Sequence, residues 1–115
     1  GRRCHLVNPD NGAAKLAMYR VDKRLQQLFV QTEAGDQEIC VQLADIQDIF
    51  TLEDGEKWFP SRVLAVLNQE NQGRLLMLQH TDRLCLLEGS PEAKETFHTC
   101  MKILRLYALQ QRPQV

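Results

Sequence analysis

Two side chains near the C terminus, His98 and Cys100, are of the types that form a catalytic base and its nucleophile. They stand two residues apart in a segment whose pattern predicts a helix, so they point about 200° away from each other. The acidic pair Asp45 and Asp48 and the acidic residues around Gly55 have the composition of paired carboxylates, but such loop residues are usually solvated. Neither a glycine-rich phosphate loop nor an HExxH motif is present. The sequence therefore predicts a domain that is not an enzyme.

The cysteines and histidines give no pattern of metal ligands. Cys4, Cys40, Cys85 and Cys100 form no CxxC pair, and the three histidines lie far apart in the chain. We therefore expect no metal site and no cofactor. An even cysteine count would permit two disulfides, but most of the cysteines lie in periodic segments where buried free thiols are common. This placement favours free thiols in a reduced, cytosolic compartment.

The charge balance limits the classes of partner. The 115 residues include 14 basic and 15 acidic side chains, which gives a formal net charge of −1. No general field therefore attracts nucleic acid or anionic lipid, and no basic stripe is interleaved with exposed aromatic residues. The length suits one domain with its own hydrophobic core. No apolar run approaches the roughly 20 residues that a membrane span needs.

The segment Ser90 to Leu109 has the signals of an amphipathic helix. Ser90 can accept a hydrogen bond from a free amide of the first turn, and Pro91 fits the first helical position. The predicted inner side consists of apolar residues at helical spacing, namely Phe97, Cys100, Met101, Leu104, Tyr107 and Ala108. This face has to cover other residues. Because the upstream segments read as strands, we expect the helix to pack on a sheet.

Seven upstream segments have the alternating or compact apolar patterns of strands. They are Ala14–Val21, Arg24–Thr32, Gln37–Leu43, Asp45–Leu52, Ser61–Asn68, Arg74–His80 and Arg83–Glu88. A helical turn is the alternative for Asp45–Leu52, and the Ser61–Asn68 and Arg74–His80 segments are predicted to form a hairpin. Residues 1–13 read as a flexible lead-in or a short extra strand, and residues 111–115 as a tail. These signals predict a mainly β fold with one α-helix, an antiparallel barrel or sandwich capped by that helix.

This order of elements resembles the pleckstrin homology (PH) superfamily. The segment RLCLLEGSPEAKETFHTCMKIL is similar to the end of a PH domain, with Phe97 where most members carry Trp. The stretches YRVDKRLQQLFVQ, IQDIF and FPSRVLAVL resemble the inner membrane complex sub-compartment proteins of apicomplexan parasites. The resemblance implies a PH-like domain over residues 14–110. It also implies an acylated leader upstream of this chain, which begins Gly-Arg-Arg without a methionine, and a place at the cytosolic face of the inner membrane complex.

The same resemblance implies a role as a non-catalytic protein-interaction scaffold in the organisation of the parasite pellicle or cytoskeleton, or in cell division. The partner would be another protein or a second copy of the chain. The alternative is a phosphoinositide-headgroup module, because the family motif places a Lys near the end of strand one and a basic-x-Arg pair at the start of strand two. Arg20, Lys23 and Arg24 match it in part, but Gln26 stands where Arg is expected. Phosphoinositide binding is therefore not the expected function.

Two groups of apolar residues are candidate protein interfaces. Ile103, Leu106 and Leu109 form a second row on the predicted helix, outside its inner side. Trp58 and Phe59 lie at the tip of an acidic loop, and exposed aromatic residues often anchor interfaces. The alternative interpretations are scattered surface leucines and a tryptophan that folds back over an open end of the barrel.

Overall fold

The computed structural model describes residues 2–33 and 35–111. The strands are β1 (Arg2–Val7), β2 (Ala14–Val21), β3 (Gln27–Thr32), β4 (Ile39–Gln42), β5 (Asp48–Thr51), β6 (Leu75–Gln79) and β7 (Arg83–Leu87). The helices are α1 (Ser61–Val66), α2 (Gln69–Gln72) and α3 (Pro91–Gln110). Short 3-10 turns lie at Leu43–Asp45, Leu52–Asp54 and Glu56–Trp58.

The seven strands form one antiparallel sheet in the order β4-β3-β2-β1-β7-β6-β5. Every neighbouring pair is antiparallel. In the described part of the chain, β4 and β5 are the two edges and do not pair with each other, so the sheet is open rather than a closed barrel. The prediction of a seven-stranded antiparallel fold with a C-terminal helix is confirmed.

The seven strands differ from the predicted ones at two places in the chain, before Ala14 and after Pro60. Arg2–Val7, for which a flexible lead-in or a short extra strand is predicted, form β1, which lies in the middle of the sheet between β2 and β7. Arg2 stands opposite Tyr19 of β2, and His5 stands opposite Leu87 of β7. The strand that the sequence pattern presents as the first is therefore β2.

The predicted hairpin between Ser61–Asn68 and Arg74–His80 is wrong, because its first half forms the helix α1 instead of a strand and the predicted turn contains α2. Val63 and Leu67, four residues apart, are both buried, which is the spacing of one helix face. A short apolar run such as VLAVL fits a buried helix segment as well as a strand, so periodicity cannot separate the two.

Two hydrophobic clusters lie on opposite faces of the sheet. The inner cluster joins all seven strands to α3 and includes Leu28, Leu76 and Phe97. The outer cluster covers the β1-β7-β6-β5 half with Phe59, Val63 and Leu67 and includes residues of β1, β6 and β7. Residues on both sides of β6 and β7 are therefore buried, and this explains why their sequences are apolar without alternation.

Helix α3 begins as predicted. The Ser90 hydroxyl accepts a hydrogen bond from the amide of Ala93 at 3.0 Å, and Pro91 follows it. Phe97, Met101 and Ala108 are buried against the sheet. The predicted inner side is too wide, however, since two of its members, Cys100 and Tyr107, are exposed.

Candidate protein-interaction surface

One stripe on the exposed side of α3 carries no charged residue over four turns, and the exposed Glu95 and Lys102 lie at its border. With Ile103 as the reference and about 100° per residue, the positions within about 60° of it from Thr96 onward are all uncharged. We call these residues the neutral stripe, and they are Thr96, Thr99, Cys100, Ile103, Leu106, Tyr107 and Gln110. Ile103 and Leu106 are 60% and 59% exposed. An apolar, uncharged helix face of this length is typical of a surface that another protein covers.

The structure brings together only part of the predicted helix row. Ile103 and Leu106 belong to the neutral stripe, whereas Leu109 lies about 120° from Ile103 and is less exposed. Tyr107 and Cys100, which the pattern assigns to the core, join the stripe instead. The absence of charge at every third or fourth position from Thr96 is the sequence signal that identifies this face.

A groove of about 490 Å³ runs between the middle of α3 and strands β1 and β2. Its sheet side is lined by Arg2, Tyr19, Arg20 and Val21. Phe97, Met101 and Leu104 line its helix side, and Thr96 and Cys100 belong to both the groove and the neutral stripe. The groove therefore extends the stripe from a convex helix surface into a concave, mostly apolar one.

The floor of the groove is held in place by an aromatic contact. The rings of Tyr19 and Phe97 meet edge to face, with centroids 4.8 Å apart and planes at 79°. This is a favoured arrangement of two aromatic rings. It fixes the side chains of β2 and α3 relative to each other, so the groove is formed before any ligand arrives.

A buried carboxyl group lies close to Tyr19. Glu88 follows β7 and is almost fully buried, and its Oε1 atom accepts no hydrogen bond within residues 2–33 and 35–111. Burial raises the pKa of Glu88, and the nearby Tyr19 hydroxyl and Arg2 guanidinium offset this only in part. Burial and the charge of Glu88 raise the pKa of Cys4 to about 12. The Cys4 thiol is therefore unreactive in the folded domain.

The N-terminal part of α3 is tied to the loop after β5 by a lysine that the sequence pattern does not indicate. Lys94 is 3% exposed, and its Nζ lies 3.1 Å from Oε1 of Glu53 and 3.5 Å from Oε1 of Glu95. A buried ammonium needs such partners, because an unpaired charge is costly away from water. Lys94 is therefore part of the support of the helix and not of its free surface.

The two aromatic residues of the acidic loop, Trp58 and Phe59, differ in solvent exposure. Trp58 is 45% exposed, and its ring stacks on Phe50 of β5 with centroids 5.0 Å apart. Phe59 is 5% exposed and packs in the outer cluster with Val63. The prediction that Phe59 is an exposed interface residue is wrong, because the loop continues directly into α1, which draws Phe59 onto the sheet.

The predicted cationic residues lie on the hairpin formed by β2 and β3, and not on the first hairpin, which β1 and β2 form. Arg20 is the penultimate residue of β2, and its guanidinium lies 4.2 Å above the Phe29 ring and 3.5 Å from Glu38. Lys23 and Arg24 are exposed in the turn between β2 and β3. The three cations therefore do not occupy the position that the phosphoinositide motif requires.

The first hairpin itself is not a cationic site. Its turn borders a cavity of about 520 Å³ that also touches the β3–β4 and β6–β7 connections. Asp10, Asp36 and Asp82 line this cavity together with Lys15 and Arg83, and Lys15 is already paired with Asp36 at 3.1 Å. Since carboxylates outnumber the cations, the cavity has the wrong charge for a phosphorylated headgroup.

Within residues 2–33 and 35–111, no group of three or more His, Cys, Asp or Glu side chains could hold a metal ion. Among the described helices, none combines the length and the apolar composition that crossing a membrane would require.

The strand order and the packing of α3 on the inner face define a PH-like fold, in agreement with the sequence resemblance. Among solved structures, the chain is similar to Inner Membrane Complex Sub-compartment Protein 1 (ISP1) from Toxoplasma gondii, with a TM-score of 0.69 and 15% identity. The match covers 92% of this chain and 82% of ISP1. Sub-compartment Protein 3 (ISP3) from the same organism matches with a TM-score of 0.67 and 12% identity, over 94% of this chain and 76% of ISP3.

The fold also occurs as one part of larger proteins. PLC21 from S. officinalis has a TM-score of 0.71 and 11% identity over 91% of this chain, which corresponds to 15% of the PLC21 chain. No protein-family model matches the sequence, and no curated protein matches it either. The likeness to these structures therefore establishes the fold.

Proposed function

We propose that the chain is a non-catalytic PH-like domain that acts as a protein-interaction scaffold at the cytosolic face of a membrane-associated structure of the inner membrane complex type. The neutral stripe of α3 is the observation that carries this proposal. It offers apolar side chains and no charge for a partner to neutralise, so burial of Ile103 and Leu106 stabilises a complex without a desolvation cost.

The comparison with ISP1 and ISP3 supports the location in this proposal. The match covers 82% of the ISP1 chain and 76% of the ISP3 chain, so most of each protein is compared and not one module of a larger enzyme. Organisation of the pellicle or cytoskeleton, or of cell division, is the process proposed for the scaffold. Attachment to the membrane through a lipidated leader remains part of the proposal.

Charge reversal on the neutral stripe tests the proposal. The chain is immobilised as wild type, as Leu106→Glu and as Val66→Glu, and proteins captured from a lysate are compared by quantitative mass spectrometry. Val66 is a matched control, because it is also 59% exposed on a helix but lies on α1. Circular dichroism confirms that each variant is folded. We expect Leu106→Glu to lose proteins that wild type and Val66→Glu retain.

The competing headgroup function is tested with the same proteins. Sedimentation with vesicles that contain or lack phosphoinositide is expected to show no headgroup-dependent binding. Binding that requires phosphoinositide and disappears in Lys23→Glu would replace the scaffold proposal. A captured set that is identical for all three forms of the chain would also contradict it.

A further inference from the structure

The groove beside the neutral stripe has the shape for protruding side chains. Its floor is formed by Phe97 and Met101, which are buried, and its volume of about 490 Å³ lies in the range of binding pockets. It continues onto the stripe through Thr96 and Cys100. A flat surface cannot reach this floor, whereas a peptide segment with apolar side chains can.

The charge around the groove is positive. Two arginines, Arg2 and Arg20, line its sheet side. Arg2 lies on the same face of β1 as Cys4, which faces α3, whereas Arg20 points to the opposite face of the sheet. Within residues 2–33 and 35–111, Arg2 forms no salt bridge, and neither do Lys23 and Arg24 in the turn that follows the groove residue Val21. No carboxylate lines the groove.

The nearby acidic residues offset these charges only in part. The Asp22 carboxylate accepts hydrogen bonds from the amides of Gln26 and Gln27 at 2.8 and 2.9 Å, so it is engaged inside its own turn. Glu38 pairs with Arg20 on the outer face of the sheet. Arg2 interacts with the buried Glu88, and Arg24 with Asp22. Within residues 2–33 and 35–111, however, Arg2, Lys23 and Arg24 form no salt bridge, so all three are available to an external anion.

We propose that this groove binds an acidic, amphipathic segment of the partner protein. This inference rests on the proposed scaffold function and specifies the chemistry of its partner. Aliphatic side chains of the segment contact Phe97, Met101 and Leu104, and its carboxylates pair with Arg2 and with the cations of the β2–β3 turn. Other side chains of the segment cover Ile103 and Tyr107 of the neutral stripe. The apolar contacts supply affinity, and the charge pairs set orientation and specificity.

The test is a selection from a display library of random peptides of about twelve residues on the immobilised wild-type chain, followed by fluorescence anisotropy with the enriched peptides. We expect enriched sequences to combine aliphatic and acidic residues. Arg2→Glu is expected to weaken their binding about tenfold or more, and higher salt to weaken it as well. Arg3→Glu is the matched control, because Arg3 is the exposed neighbour on the opposite face of β1, and it should change affinity less than about twofold.

The labelling rates of two exposed cysteines show where the peptide binds. A bound peptide should slow the maleimide labelling of Cys100 in the groove wall, while Cys40 on β4, also exposed, should label at its original rate. Enriched peptides that are basic or neutral, no enrichment at all, or equal affinities for wild type and Arg2→Glu would each overturn the groove proposal. Binding of vesicles that contain phosphatidylserine, if Arg2→Glu removed it, would assign the groove to lipid instead.

The failure of this inference can be distinguished from failure of the scaffold function. If Leu106→Glu loses captured proteins while Arg2→Glu keeps them, the scaffold function stands and the acidic segment is wrong. If neither variant loses any captured protein, both are wrong.

Discussion

Truncation of Phe97 tests which side of α3 is the core and which is free for a partner. Phe97 is 3% exposed, and its ring meets Tyr19 edge to face at 4.8 Å. Replacement of a buried Phe by Ala costs about 3–5 kcal/mol of unfolding free energy, of which an aromatic pair accounts for about 0.5–1.5 kcal/mol. With an unfolding entropy of about 2.1 cal/mol/K per residue, a loss of about 4 kcal/mol lowers the Tm of this 115-residue chain by roughly 15 °C.

Ile103→Ala is the control for Phe97→Ala, because both residues are large and apolar and lie on the same helix. Ile103 is exposed, so its truncation should change the free energy of unfolding by less than about 0.5 kcal/mol. Both variants are measured by urea denaturation and thermal melting, followed by circular dichroism. Equal losses for the two variants, or a loss above about 2 kcal/mol for Ile103→Ala, would refute the assignment of the neutral stripe to solvent.

Three further predictions concern the buried groups and the turns. Burial raises the pKa of Glu88, so the folded state holds more protons than the unfolded chain above the usual value of 4.5. Wild-type Tm should therefore fall relative to Glu88→Gln as the pH rises from that value toward neutrality, and parallel melting curves would contradict this. Gly12 and Gly35 have φ of +75° and +80°, but only at Gly12 would a Cβ approach backbone and side-chain atoms to 2.9 Å. In urea titrations, Gly35→Ala should cost about 1 kcal/mol and Gly12→Ala clearly more. Ellman's reagent should modify Cys40 and Cys100 in the folded chain and the two buried thiols only after unfolding, and four fast thiols would disprove the assigned burial.

The strands and α3 were predictable to different degrees. Alternation identifies β2, β3 and β4, because one side of each faces the core and the other faces solvent. The cap at Ser90 identifies the start of α3 for a local reason that needs no tertiary contact. The apolar run after Pro60 could not be assigned, since its conformation depends on the outer face of β6 and β7, which α1 covers.

The candidate surface was predictable only in part. The apolar identity of Ile103 and Leu106 is visible in the sequence, and so is the absence of charge at positions of helical spacing from them between Thr96 and Gln110. That Tyr107 and Cys100 join them depends on how α3 is rotated against the sheet, which is set by contacts with residues far away in sequence. The same rotation buries Lys94 beside Glu53. This lysine therefore attaches α3 to the loop after β5 through a salt bridge and does not belong to the exposed surface of the helix.

The sequence by itself determined the class of fold, because strand periodicity, helix capping and the order of elements are local properties that appear directly in residue types. It also determined that basic and acidic side chains nearly balance, 14 against 15. Only the tertiary structure decided that β1 is a central strand, that Phe59 is buried and that Arg2 lies beside the groove. These features arise where segments distant in the chain pack together. The free energy of that packing depends on both segments, so the residues of one segment do not predict it.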